Sequence, residues 1–230
     1  MNKLLIPLLL FSSIFPNNVG EKLIYKAGFR LFSAGKSTIE LQSDTLNGEL
    51  VYHLISHTET NSFLDRFYKV RDKIDIWVDT LDYTLLKVEK NIREGKYNKE
   101  HSAVFFTEDS TVFYDSKFHK LKGRVFDPFS ALYFLREQNL NTGQQFQFSI
   151  YDNGKIRETV VQVIKYERVS VPAGKFQCLL VSPASADNKS LLKNKGEMRI
   201  WFSTDDKKLP VKIEIKTNIG VMKMELTKVE

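Results

Sequence analysis

Cysteine is almost missing from this chain: Cys178 is the only one in 230 residues. That excludes an internal disulfide framework, so a folded core must be held by burial alone. Cys178 lies in Phe176-Gln177-Cys178-Leu179-Leu180-Val181 and alternates with Phe176 and Leu180. With no His or basic pair beside it to lower its pKa, it reads as a small buried hydrophobe, not a reactive thiol. Long apolar runs are also scarce. The longest, Leu4 to Phe15, is about twelve residues, too short to span a bilayer as a helix. Charge of one sign is lacking too: 34 Lys and Arg face 28 Asp and Glu, interleaved along the chain, for a net +6. This reads as a solvated mixed surface, with no nucleic-acid partner expected.

Catalytic and metal-binding patterns are wanting as well. There is no Gly-x-Ser-x-Gly elbow and no helical His-Glu pair for zinc. Ala34-Gly35-Lys36-Ser37 looks like the end of a phosphate-binding loop, but Arg30 stands where that motif needs Gly, and a strand follows where it needs a helix. Gly35 therefore reads as a bend or bulge. His53 and His57 are four apart, which on a strand separates their Cα atoms by roughly 13 Å, too far for one ion. His101 and His119 each sit among charged neighbours. Asp205-Asp206 falls between two strong strands and reads as a turn with Asx hydrogen bonds. No catalytic residue, metal site or cofactor is expected.

What the chain does have is aromatic surface, Phe 17 and Tyr 9, enough to disfavour disorder. Its N-terminus has the form of a secretory signal: Lys3, the apolar Leu4–Phe15, then Pro16-Asn17-Asn18-Val19-Gly20. Cleavage near Gly20 would leave no transmembrane segment; an uncleaved anchor is the alternative. From Glu21 the period is two. Leu23, Tyr25, Ala27, Phe29 and Leu31 share a face, as do Ile74, Ile76 and Val78, and Leu86, Val88, Lys90 and Ile92. Turns are signalled at Asp44–Gly48, Thr80–Tyr83, Glu94-Gly95, Asp152-Asn153-Gly154, Pro172-Ala173-Gly174 and Asn218-Ile219-Gly220, with a polar loop over Ala184–Gly196. Met198, Ile200 and Phe202 oppose Arg199, Trp201 and Ser203, and Val211, Ile213 and Ile215 oppose Lys212, Glu214 and Lys216.

One stretch breaks the strand pattern, Asp127-Pro128-Phe129-Ser130-Ala131-Leu132-Tyr133-Phe134-Leu135-Arg136. Asp127 suits an N-cap and Pro128 the first helical position. A helix apolar almost all round must be surrounded, and its end is expected near Asn139, which tolerates the left-handed conformation. About a dozen strands and no second composition regime predict an all-β chain with one short helix. The expected architecture is a single antiparallel sheet over 21–230, curled into a barrel or half-barrel, with the helix in or across its concave side.

Several strings occur together in order: Gly20-Glu21-Lys22-Leu23-Ile24-Tyr25, Ala34-Gly35-Lys36, the 127–136 helix, Val171-Pro172-Ala173-Gly174-Lys175-Phe176, and Ile200-Trp201-Phe202-Ser203-Thr204-Asp205-Asp206 with Leu209-Pro210-Val211. In these the chain resembles the bacterial exported family called domain of unknown function 3108. The resemblance implies a Gram-negative envelope location, thus the periplasm, and a β-rich fold. It carries over no catalytic residue.

Two functions follow as expectations. One is a non-enzymatic carrier binding a lipid or acyl chain, lined by Phe129, Leu132 and Leu135 from the helix and by Ile200, Phe202, Ile213 and Ile215 from the sheet. The other is an envelope assembly factor with a dry core, whose outer face, with Trp77 and Trp201, meets protein partners. Interior volume separates them, since small barrels are commonly filled by side chains.

Overall fold

The structure, a computed structural model, describes residues 18–30, 32–185, 197–217 and 220–230. Residues 1–17 of the expected leader, Leu31, most of the Ala184–Gly196 loop and part of the Asn218–Gly220 turn lie outside the described residues. The first wing of the sheet comprises β1 (Lys22–Phe29), β2 (Phe32–Leu46), β3 (Glu49–Thr60), β4 (Arg71–Val78), β5 (Leu85–Glu94), β6 (Tyr97–Phe106), β7 (Thr111–Tyr114) and β8 (Lys117–Lys120). After β9 (Val125–Phe126) and α1 (Pro128–Glu137), the second wing comprises β10 (Gln145–Asp152), β11 (Lys155–Val171), β12 (Gly174–Ser185), β13 (Glu197–Ser203), β14 (Pro210–Thr217) and β15 (Gly220–Val229).

All fifteen strands belong to one sheet, in the order β8-β7-β6-β5-β4-β3-β2-β1-β15-β14-β13-β12-β11-β10-β9. The first and last strands thus pair at its centre, and the sheet has two free edges. Among the described residues the backbone ladder does not close. Side chains bring the wings together instead: the Tyr114 hydroxyl donates to the Gly154 carbonyl at 3.0 Å, and His101 Nε2 lies 2.8 Å from the Tyr151 hydroxyl. The architecture is a half-barrel sealed by side chains.

Two departures from the sequence pattern have local causes. The sheet is not wholly antiparallel, because β9 pairs with β10 in parallel, Val125 opposite Ser149. A parallel neighbour needs a crossover, and α1 is that crossover. Leu85, not Leu86, is the buried residue at the start of β5, because a bulge opposite Trp77 and Val78 shifts the register there. The two-residue β9 is too short to show alternation. Gly35 is fixed by close approach: a Cβ there would lie 1.9 Å from the Glu59 carbonyl oxygen on β3. Asn153 and Gly154 both have positive φ, as the hairpin turn joining β10 to β11 requires.

The interior is filled mainly by large side chains. Tyr25, Tyr83, Tyr133, Tyr151 and Phe202 are among the fully buried ones. Each such side chain removed from water contributes about 1.5–3 kcal/mol. Helix α1 packs within this core. The Asp127 carboxylate accepts the Phe129 N–H at 2.9 Å, and the Asp127 N–H donates to the Ser130 hydroxyl at 3.0 Å, forming a capping box. The helix ends at Glu137, and Gln138 leaves in an extended conformation, so Asn139 is not its left-handed terminator. The Gln138 N–H instead bonds the Leu135 carbonyl. Ser130, Ala131, Leu132, Tyr133, Leu135 and Arg136 are buried, while Phe129 and Phe134 are half-buried.

Leu132→Asp would place an unpaired carboxylate in this core. Loss of the folded state is expected, measured by circular dichroism and urea titration. A cooperatively folded variant would put the helix on the surface.

Candidate functional site

Between α1 and the second wing lies a cleft of about 160 Å³. Ala131, Leu132 and Leu135 form the helix side, and Ile150, Val161 and Ile200 face them from β10, β11 and β13. Pro128, Pro183 and Met198 extend the apolar wall. The polar lining residues are Asp152, Arg157 and Thr159.

The predicted lining residues divide. Leu132, Leu135 and Ile200 do wall the cleft. Phe202 and Ile213 do not; they are buried in the packed core, where Ile213 lies across from Ile200 in the β13–β14 ladder. Ile215, half-buried opposite Met198, and half-buried Phe129 also lie outside the wall. Strand alternation correctly puts Ile200 and Ile213 on the inner face, but it cannot tell a residue beside a gap from one beside a neighbour. Arg157 and Pro183 carried no apolar-face signal at all.

Both ends of the helix are held by charge. At its N-terminus the Lys90 ammonium lies 2.9 Å from Asp152 Oδ1 and 3.3 Å from Asp127 Oδ2. Lys90 is buried, as its place on the apolar face of β5 dictates. Burial pulls its pKa down, but the carboxylates of Asp127 and Asp152 outweigh burial and leave it above the ordinary lysine value. At the C-terminus the Arg136 guanidinium makes a two-point pair with Glu21, at 2.6 and 2.9 Å, and reaches the Lys207 carbonyl at 3.1 Å. A cation in the last turn also complements the helix dipole. Lys90 and Arg136 thus fix the rod that forms one side of the cleft.

Cys178, His53, His101 and Asp205 are each engaged in the packing or hydrogen bonding of the fold. Cys178 is fully buried and its thiol is pushed up to about 12, first by burial and then by Asp205 and Glu167. His53 stacks on Trp77 with ring centroids 4.4 Å apart and hydrogen-bonds Asp75 at 3.1 Å. Burial, with Lys99 and Lys90 nearby, lowers His101. Asp205 accepts from the Ser203 hydroxyl and the Lys207 N–H in the β13–β14 turn. Among the described residues no cluster of three or more His, Cys, Asp or Glu is arranged to hold a metal ion. No described helix is long and apolar enough to cross a membrane.

The outer-face tryptophans are covered by their own neighbours. Lys87 Nζ lies 4.5 Å from the Trp77 ring centroid, and the indole N–H donates to Asp44 at 2.8 Å. Lys212 lies 4.7 Å from the Trp201 ring centroid, whose N–H donates to Glu167; Trp201 is 5% exposed. Neither ring is presented whole to a partner.

The chain belongs to the family described as "Protein of unknown function (DUF3108)", whose model matches residues 24–227. No curated protein matches it. Among solved structures, a beta-barrel-like protein of domain of unknown function DUF1849 from Brucella abortus is 14% identical, covers 93% of this chain and 98% of its own, and has a TM-score of 0.58. The two share a fold. A candidate lipoprotein from Parabacteroides distasonis, also 14% identical, covers 94% of this chain and 97% of its own with a TM-score of 0.35.

Lys90→Met strands Asp127 without its cation and should cost about 3–5 kcal/mol in urea unfolding. Adding Asp127→Asn, which still caps the helix, should recover part of that loss; a fully stable single variant would show that Lys90 joins nothing. Because Lys90 is raised on folding, its contribution is complete below about pH 10.4 and fades as pH climbs through its folded-state value. The double variant should lack this share of the alkaline destabilisation seen in the wild type. Cys178 should not react with a disulfide reagent at pH 8 until denaturant is added; rapid labelling of folded protein would contradict its burial.

Proposed function

We propose that this is a non-catalytic, exported envelope protein that holds the end of an acyl chain in the cleft beneath α1. The observation that carries this reading is the cleft itself: apolar walls on both sides, with Arg157 among the few polar groups. An apolar chain with an anionic head, such as a fatty acid, matches both features. The volume matters. A dry apolar cavity of about 150 Å³ accepts a molecule the size of benzene, so this cleft takes a chain terminus and not a whole lipid. Export rests on the leader-like residues 1–20 and on the family resemblance, and periplasmic location follows from the same two grounds.

The assembly-factor reading loses its stated surface, because Trp77 and Trp201 are covered by lysines and hydrogen-bonded to acids. Its dry-core premise fits most of the interior but not the region around Leu132 and Ile200.

Native mass spectrometry of protein purified from the periplasm should reveal a co-purifying amphiphile, and a fluorescent fatty acid should bind with one-to-one stoichiometry. Ile200→Trp, which fills the cleft, should reduce binding at least tenfold while the fold survives, and Arg157→Glu should weaken binding of the anionic probe more than that of its alcohol analogue. Absence of both a co-purifying lipid and probe binding would remove the carrier reading.

A further inference from the structure

We propose that the end of the sheet bearing the 61–70 loop between β3 and β4, with the adjoining ends of β1, β2, β14 and β15, docks on an anionic phospholipid surface. Three aromatic side chains stand out there: Phe32 is 69% exposed, Phe63 62% and Phe67 75%. Isolated exposed apolar groups are ordinary, but a cluster of large ones marks an interaction surface. Phe63 and Phe67 lie edge to face, with centroids 5.7 Å apart. Their loop is joined to the β1–β2 hairpin by Asn61, whose N–H donates to Ala34 and whose side-chain amide donates to Ser33. Phe32 pairs with Phe29, which pairs in turn with Met222 of β15, so the ends of β2, β1 and β15 lie side by side.

The loop is not a floppy tip. Its polar groups are turned toward the protein: Asn61 Oδ1 accepts the Leu64 N–H at 3.0 Å, and Thr60 donates to Asp65 at 2.6 Å. Arg71 grips both oxygens of Asp65, at 2.6 and 3.1 Å. This satisfied polar base holds the two phenylalanines outward.

Charge decides what covers them. Segments 26–36, 61–71 and 216–223 carry eight Lys or Arg and one acid, Asp65, already paired with Arg71. Their net charge of +7 exceeds the +6 of the whole chain, and counting the flanking Glu59 and Asp72 still leaves +5. The positive excess is thus concentrated at the aromatic end. Neither Arg66 nor Lys69 forms a salt bridge among the described residues. Apolar rings that enter the acyl boundary, ringed by cations that meet phosphate, are the chemistry of peripheral binding to an anionic bilayer. Each such cation contributes about a fivefold gain in binding.

The proposal stands apart from the cleft and is tested apart from it. The chain lacking its leader is floated with vesicles of phosphatidylglycerol and phosphatidylcholine, or of phosphatidylcholine alone. Wild type should bind the anionic vesicles at least tenfold more strongly, and added salt should weaken this. Phe63→Ser/Phe67→Ser and Arg66→Glu/Lys69→Glu, at exposed positions that leave the circular dichroism unchanged, should each lose at least tenfold on anionic vesicles. Ile200→Trp should float like wild type, whatever it does to fatty-acid binding. Equal or no binding to the two vesicle types, or unchanged binding by both double variants, would overturn the proposal. So would a wild-type dimer that Phe63→Ser/Phe67→Ser dissociates in sedimentation, since the patch would then belong to a second copy of the chain.

Discussion

One buried ammonium joins the parts of this molecule that the backbone leaves separate. Lys90 comes from β5 in the first wing, Asp152 from β10 in the second, and Asp127 is the cap of the helix between them. Without the lysine, the closure of the wings keeps the Tyr114–Gly154 and His101–Tyr151 contacts but loses its ion pair, and the helix N-terminus carries a buried carboxylate with no counter-charge. A buried charge of this kind gives little net stability over an apolar substitute, but removing one partner is costly. Its value lies in geometry: only one closure of the wings brings all three groups together.

Arg136 plays the matching part at the other end of the helix. Its side chain is wholly buried, paired with Glu21 at the start of the first strand and bonded to Lys207 in the β13–β14 turn. The helix is therefore tied at one end to the junction of the wings and at the other to the centre of the sheet, where the first and last strands pair. A rod held at both ends by charge cannot sink further into the barrel to fill the space beside Leu132 and Leu135. That accounts for a gap in an interior otherwise packed with tyrosine and phenylalanine.

The sequence discloses those features that repeat or that depend on local chemistry. Period-two alternation marks the strands, Asp127-Pro128 marks the helix start, and Asp152-Asn153-Gly154 marks a hairpin. It also places Lys90 on an apolar face, which is the one visible hint of the closing cluster. It cannot show the partners of Lys90, because Asp127 and Asp152 lie 37 and 62 residues away and each has an adequate local role, as cap and as turn. The cleft is half legible for the same reason: inward-facing residues are readable, but whether Ile200 meets space and Phe202 meets a neighbour depends on how the wings curl. Charge fails differently. Read along the chain, basic and acidic residues interleave; only the pairing of strands gathers the basic turns at one end.

That gathering bears on how a small cleft could be used. In an antiparallel ladder alternate connections lie at the same end, so the strand order places the β10–β11 turn at the end that bears the 61–70 loop. Asp152 and Arg157 flank the β10–β11 turn and belong to the cleft lining. The polar part of the cleft and the aromatic, cationic surface are therefore at one end of the molecule. A carrier that encloses its cargo needs a large interior and can turn its mouth anywhere. A cleft able to admit only a chain terminus leaves most of a lipid outside, and that remainder must stay in contact with something apolar. On the two proposals taken together, a cleft whose polar lining lies at the end proposed to face the membrane meets that requirement without a larger cavity.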